Sequence, residues 1–256
     1  MARKPKTVVC VFCGQRGAAS GEDVIPKWIA RHLAAGRNPP FFDLAIEGDG
    51  DEMTTIGRRH IGGLPAPYKL PEVCKPCNEG WMSNLEQGMK HAGKRLIEGT
   101  HYLLSAYEQV VLATWMTKTA LLYDVARGGQ VVPPDKGCHQ FYATGQPLPR
   151  SQIMIAAFQP PDQSVVIPHR RKEHKLIDPA TGDIALHGVD ISFVFGFLLI
   201  QLYVTFDGDE EEVFGYPTAN PNLIQCWPVR RAISWQPPLQ PPPPSEVGPN
   251  TDATEI

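Results

Sequence analysis

Two Cys-x-x-Cys pairs, Cys10-Val11-Phe12-Cys13 and Cys74-Lys75-Pro76-Cys77, carry the most specific chemistry in the chain. Four thiolates in two local pairs can close a tetrahedron around zinc with sulfur about 2.3 Å from the ion, because a two-residue gap lets each pair grip one side of the metal from a tight turn. Gly14 after the first pair and Pro76 inside the second are residue types that such turns use. Disulfides or unrelated buried thiols are the competing readings of the same spacing. Cys138 and Cys226 stand alone in apolar or aromatic surroundings and read as core or free thiols.

Oxygen ligands lie close to both pairs. Ser20-Gly21-Glu22-Asp23-Val24-Ile25-Pro26-Lys27-Trp28 follows the first, and Asn78-Glu79-Gly80-Trp81-Met82-Ser83-Asn84-Leu85-Glu86 follows the second. Carboxylates and amide carbonyls suit a hard divalent ion such as Mg²⁺. Asp and Asn are also preferred helix caps, and on residue chemistry alone capping is the favoured reading of Asp23 and Asn78. Trp28, Trp81 and Met82 invite a base-stacking role, but their helical spacing with Leu33, Leu85 and Met89 reads as core.

Together these segments resemble, over about residues 8–98, the four-cysteine branch of the HNH endonucleases. The resemblance implies a ββα-metal module that cuts phosphodiester bonds. It implies Cys10, Cys13, Cys74 and Cys77 as structural zinc ligands, Asn78 beside a catalytic divalent ion, and Glu22 as the acid preceding the first signature histidine. Asp23 stands in that histidine's place, and Tyr68, Lys69 and Leu70 stand where the middle Asn is expected. A histidine titrating near neutrality suits a general base, whereas an ordinary aspartate at about 3.9 is a weaker base and a better magnesium ligand. His32 and His60 are the histidines between the pairs, and His60, read as part of an Arg58-Arg59-His60 loop, is the candidate replacement base. Glu22, Asp23 and Asn78 are the candidate carboxylate-rich Mg²⁺ centre. The expected activity is metal-dependent cleavage of nucleic acid, with DNA as the expected partner. The alternative is a catalytically degenerate zinc protein that binds nucleic acid or another partner.

The formal net charge of -3 over 256 residues leaves no global excess of base, so any phosphate-binding surface must be local. The run His169-Arg170-Arg171-Lys172-Glu173-His174-Lys175 is the densest basic cluster, with Lys90, Lys94, Arg58 and Arg59 elsewhere. Most basic loops are solvated surface, so the cluster supports a nucleic-acid reading without carrying it. The basic N-terminus leads into an apolar run too brief for a signal-peptide core, and a reducing cytoplasmic setting is expected. Ile191 to Phe206 falls short of the roughly twenty residues a membrane helix needs, so no membrane partner is expected. Its β-branched and aromatic content predicts two buried strands meeting near Gly196, or one strand kinked there.

Other elements must position these residues. Thr7 to Cys13 reads as a strand entering the first pair, and Pro26 opens a short helix. Phe41 to Ile46 is the strand candidate between the pairs. Trp81, Leu85, Met89, Ala92 and Leu96 predict an amphipathic helix from about Asn78 to Glu98, stopped by Gly99. Ser105-Ala106-Tyr107-Glu108 is a capping box for a second, more apolar helix that Gly128-Gly129 would end. Ile153–Phe158, Val165–Pro168 and Leu223–Trp227 are further strand candidates. The predicted class is α+β: a zinc-stabilised ββα module at 1–100, a helix and mainly antiparallel sheet region at 101–235, and a Pro-rich disordered tail at 236–256.

Overall fold

The computed structural model describes residues 7–33, 41–49, 52–61, 69–126, 135–158, 169–177, 181–182, 184–206 and 222–236. The expected strand at Val165–Pro168, the Gly128-Gly129 stop and the Pro-rich tail lie outside them.

Strands β1 (Thr7–Val9) and β2 (Arg16–Ala18) form an antiparallel hairpin whose apex carries the first cysteine pair. The chain continues through β3 (Glu22–Asp23), helix α1 (Lys27–Leu33), β4 (Phe41–Asp49), β5 (Glu52–Ile61) and β6 (Lys69–Leu70). α1 opens directly after Pro26, whose carbonyl accepts the Ile29 N–H at 3.0 Å. β6 pairs antiparallel with β3 across a long connection, setting Asp23 opposite Lys69 and Glu22 opposite Leu70. The second cysteine pair follows at once on α2 (Lys75–Cys77), which runs through a wider π-helical turn, Asn78–Met82, into α3 (Ser83–Ile97).

The periodic stretch expected as one helix from about Asn78 to Glu98 is instead broken by a kink at Gly80, where φ is -91° and ψ -110°, and its regular part is α3. It ends as expected. Gly99 adopts a φ of +70°, a conformation open to a residue without Cβ, and its N–H bonds the Leu96 carbonyl.

After β7 (Tyr102–Leu104), α4 (Ala106–Ala126) starts on the expected capping box. Ser105 Oγ accepts the Glu108 N–H at 3.3 Å, and Glu108 Oε2 accepts the Ser105 N–H at 2.9 Å. Fourteen residues of α4, from Gln109 to Asp124, are buried, so this helix is a central rod rather than an amphipathic cover. No helix among the described residues is long and apolar enough to cross a membrane.

A π-helical turn, Asp135–His139, leads into α5 (Gln140–Thr144) and then β8 (Ser151–Ala157), β9 (His169–Ile177), β10 (Ile184–Phe195), β11 (Leu198–Thr205), β12 (Ile224–Trp227) and β13 (Ile233–Trp235). Of the two readings of Ile191–Phe206, the structure adopts two strands: β10 and β11 pair antiparallel and turn at Gly196-Phe197, where Gly196 has a φ of +56°.

A seven-stranded sheet runs in the order β12-β8-β11-β10-β9-β4-β5. It is mainly antiparallel, as expected, but it recruits β4 and β5 from between the cysteine pairs, with β4 and β9 parallel. The segment carrying Arg58, Arg59 and His60, expected as a loop, is thus the edge strand β5, because its backbone pairs with β4 along its length. α4 packs on the sheet through ring contacts, Trp115 with Phe195 and Tyr123 with Phe193. One buried cluster extends from Cys10 and Phe12 through Met89, Leu96 and Trp115 to Phe193 and Trp235. The fold is α+β, with a four-cysteine cluster near the N-terminus.

Candidate metal centre

The β1–β2 turn closes through the Gly14 N–H on the Cys10 carbonyl and the Cys10 N–H on the Gln15 carbonyl. The second pair sits in the first helical turn, where the Asn78 N–H bonds the Cys74 carbonyl. An isolated bridge between Ala19 and Cys74, and the Val11 N–H on the Glu72 carbonyl, lock the two pairs face to face. The four Sγ atoms lie within 4.8 Å of one another, and Cys13 Sγ and Cys74 Sγ are 3.7 Å apart. A regular tetrahedron with zinc–sulfur bonds of about 2.3 Å has edges of about 3.8 Å, so the donor set and its spacing fit the ion.

All six cysteines are free, and no disulfide joins the two pairs in this structure. Cys138 and Cys226 are buried apart from the cluster, and burial pushes both thiols up to about 12.

The surroundings favour thiolate at one corner and resist it at others. Burial acts upward on Cys10, but amide N–H groups of Cys13, Cys74 and Phe12 outweigh it and bring the thiol down to about 7. Burial pushes Cys74 and Cys77 up. The Trp81 indole Nε1 is buried without a well-aligned hydrogen-bond partner among the described residues, and it faces Cys77 closely enough to favour its thiolate.

Around the sulfurs stands an aromatic wall. Phe12, from inside the first pair, meets Trp81 at 5.5 Å between ring centres, and Phe141 of α5 meets Trp81 at 5.6 Å and Phe12 at 6.4 Å. Tyr142 adds an outer ring 6.3 Å from Trp81. Trp81 is therefore packed, as its spacing implied, and Trp28 approaches Gly93 of α3. Phe141 carries no motif, and sequence reading missed it.

The structure separates the two neighbouring acids. Glu22 is buried, with Oε1 3.1 Å from Lys118 Nζ, while Glu86 Oε1 holds the same nitrogen at 2.7 Å. Burial pushes the Glu22 carboxyl up, more strongly than Lys118 pulls it down. Asp23, the next residue on a strand, points elsewhere. Its Oδ2 is 3.4 Å from Lys27 Nζ, and its Oδ1 is buried with no hydrogen-bond partner among the described residues.

Asn78 does not cap its helix. Its Nδ2 donates to Ser20 Oγ at 3.0 Å, tying the second knuckle to the strand that leads to Asp23. His32 pairs with Glu98 at 3.1 Å. His60 belongs to a different sheet from Asp23.

The basic candidates divide. Lys90 is on the surface of α3 beside Gln87, and Lys94 is exposed one turn later. In β9 the register sets Arg170 opposite Ser192 and Lys172 opposite Asp190, while the intervening Arg171 reaches α4, its Nε 2.8 Å from Asp124 Oδ1. The side chains of Arg58, Arg59, His60, Arg170 and Lys172 lie outside the described residues.

No family model matches the chain, and neither a curated protein nor a solved structure matches it.

Proposed function

We propose that this chain is a metal-dependent endonuclease of the HNH kind, with one structural zinc on Cys10, Cys13, Cys74 and Cys77 and a catalytic divalent cation held near Asp23 and Asn78. One observation carries the reading. β3, bearing Asp23, pairs with β6, and β6 runs directly into the cysteine pair and the helical segment that carries Asn78, an order of strand, strand and helix around one sulfur centre. The resemblance of residues 8–98 gives that arrangement its chemistry.

Asp23 Oδ1, without a hydrogen-bond donor among the described residues, and the Asn78 carbonyl oxygen are ligands of the class Mg²⁺ and Mn²⁺ take. When bound there, such a cation would supply positive charge for the phosphate and lower the pKa of an attacking water. Asp23, in the position a histidine holds in the family, would hold the cation, and the proton of the attacking water would pass to solvent. Lys90 and Lys94 contribute phosphate contacts. Glu22 supports β3 from within through Lys118 and is not among the cation's ligands.

A second reading has its own support, since Asp23 is engaged by Lys27 and Glu22 by Lys118: a module that keeps zinc and nucleic-acid binding without hydrolysis. Incubation of purified protein with supercoiled plasmid and Mg²⁺, Mn²⁺ or Ni²⁺ separates the two. Nicking by the wild type, abolished in Asp23→Ala and Asn78→Ala at unchanged zinc content, supports the nuclease. Retarded but uncut DNA with every metal establishes the second reading. A reducing cytoplasm is the compartment in which the four thiols persist for zinc.

A further inference from the structure

Ser20 closes the link between the first and second halves of the candidate site, and its proton can be followed. Ser20 Oγ lies 3.1 Å from the Val73 carbonyl oxygen and 3.0 Å from Asn78 Nδ2. A carbonyl oxygen only accepts, and in this network the Ser20 hydroxyl donates its single proton to Val73. Ser20 Oγ then has only lone pairs to offer Asn78. It can bind the amide NH₂ and not the amide oxygen.

The choice between the two amide orientations is therefore made by the network. Nδ2 is turned toward Ser20, and Oδ1 is turned away without a donor among the described residues. The Ser20 backbone N–H also bonds the Val73 carbonyl at 3.1 Å, so the position of Oγ is fixed by its own main chain. Ser20 stands three residues before Asp23, and the same short segment carries the orphan carboxylate oxygen and the group that orients Asn78.

We propose that Ser20 is a positioning residue: it fixes the Asn78 amide so that its oxygen, not its NH₂, is presented to a divalent cation. An amide rotated by half a turn would present N–H donors, which repel a cation. The hydrogen-bond logic is independent of the functional reading; the identity of what Oδ1 meets rests on that reading.

Mn²⁺ binding to zinc-loaded protein, followed by electron paramagnetic resonance, supplies the test. Ser20→Ala weakens Mn²⁺ by about tenfold at unchanged zinc content, the scale on which orienting partners of metal ligands act. Ser20→Thr, which keeps the hydroxyl, restores it. In an Asn78→Asp background, where either carboxylate oxygen serves, Ser20→Ala has no further effect.

Equal Mn²⁺ affinity in wild type and Ser20→Ala, or an equal loss in the Asn78→Asp background, overturns the proposal while leaving the nuclease reading intact. Wild type that binds no Mn²⁺ defeats the cation reading instead. In that event the side-chain amide protons of Asn78, observed by nitrogen-15 NMR, still decide the orientation. Slow exchange that Ser20→Ala accelerates supports the fixed amide, and fast exchange in the wild type rejects it.

Discussion

Lys118 Nζ, with no exposed surface, lies 3.1 Å from Glu22 Oε1, so the central helix α4 grips the strand that carries Asp23 through a buried ion pair. Glu86 of α3 completes the cluster, giving two carboxylates to one ammonium. Removing one partner from such a group leaves uncompensated charge in the interior. Lys118→Met is expected to destabilise the fold by about 3–5 kcal/mol. Adding Glu22→Gln to it recovers part of the loss, as a double-mutant cycle in urea denaturation will show.

Glu22 and Glu108 should tilt the pH dependence of stability in opposite directions. The Glu22 carboxyl is held above its ordinary 4.5 mainly by burial. The folded state then binds that proton more tightly than the unfolded chain, and the advantage, complete below 4.5, is lost as pH rises through the raised value. Glu22→Gln should flatten the fall in stability on that limb.

For Glu108, burial acts upward, but hydrogen bonds from Tyr102 and Ser105 outweigh it and hold the carboxyl below 4.5. Its contribution is present above 4.5 and disappears as pH falls through the depressed value. Glu108→Gln should remove part of the acid-side slope. Chemical denaturation at a series of pH values measures both.

Reduced protein should contain one zinc per chain by elemental analysis, and Cys13→Ser or Cys74→Ser should release it. Because Phe12 and Trp81 flank the sulfurs and meet Phe141, loss of the ion should also alter tryptophan fluorescence. Phe141→Ala, which empties a buried ring site, should cost about 3–5 kcal/mol.

Gly196→Ala should cost about 2 kcal/mol or more, measured as a shift in denaturation midpoint. The left-handed φ is one contribution, and a Cβ at that site would stand 2.5 Å from the Ile97 carbonyl oxygen.

The sequence speaks most clearly where the signal is local. The Cys-x-x-Cys spacing, the Ser105–Glu108 capping box, Gly99 and Gly196 each act within a few residues, and the structure realises each of them. Contacts across long separations were silent. Nothing near Phe41–Ile61 announces pairing with β9, since a strand carries no address for its partner. Lys118 did leave a trace, a lone charge inside an apolar helix, but its partners at 22 and 86 emerge only once three elements pack. The basic run at 170–172 reads as one patch until strand alternation sends Arg171 to Asp124. Asn78 fits a cap by type, and only the fold shows it committed to Ser20.

The turn at Gly196-Phe197 also meets the end of α3: the Phe197 N–H bonds the Ile97 carbonyl at 3.0 Å, and the Phe197 ring fills the space that a Cβ on Gly99 would need. The fifteen-residue helix α3 is thereby held where it stops by two interlocked turns, while the kink at Gly80 separates its start at Ser83 from the cysteine knuckle. It behaves as a rod about 22 Å long anchored at the end that meets the hairpin. Load applied to the β10–β11 hairpin is therefore taken up along α3 as far as Ser83, and Gly80 is the joint between that rod and Asn78.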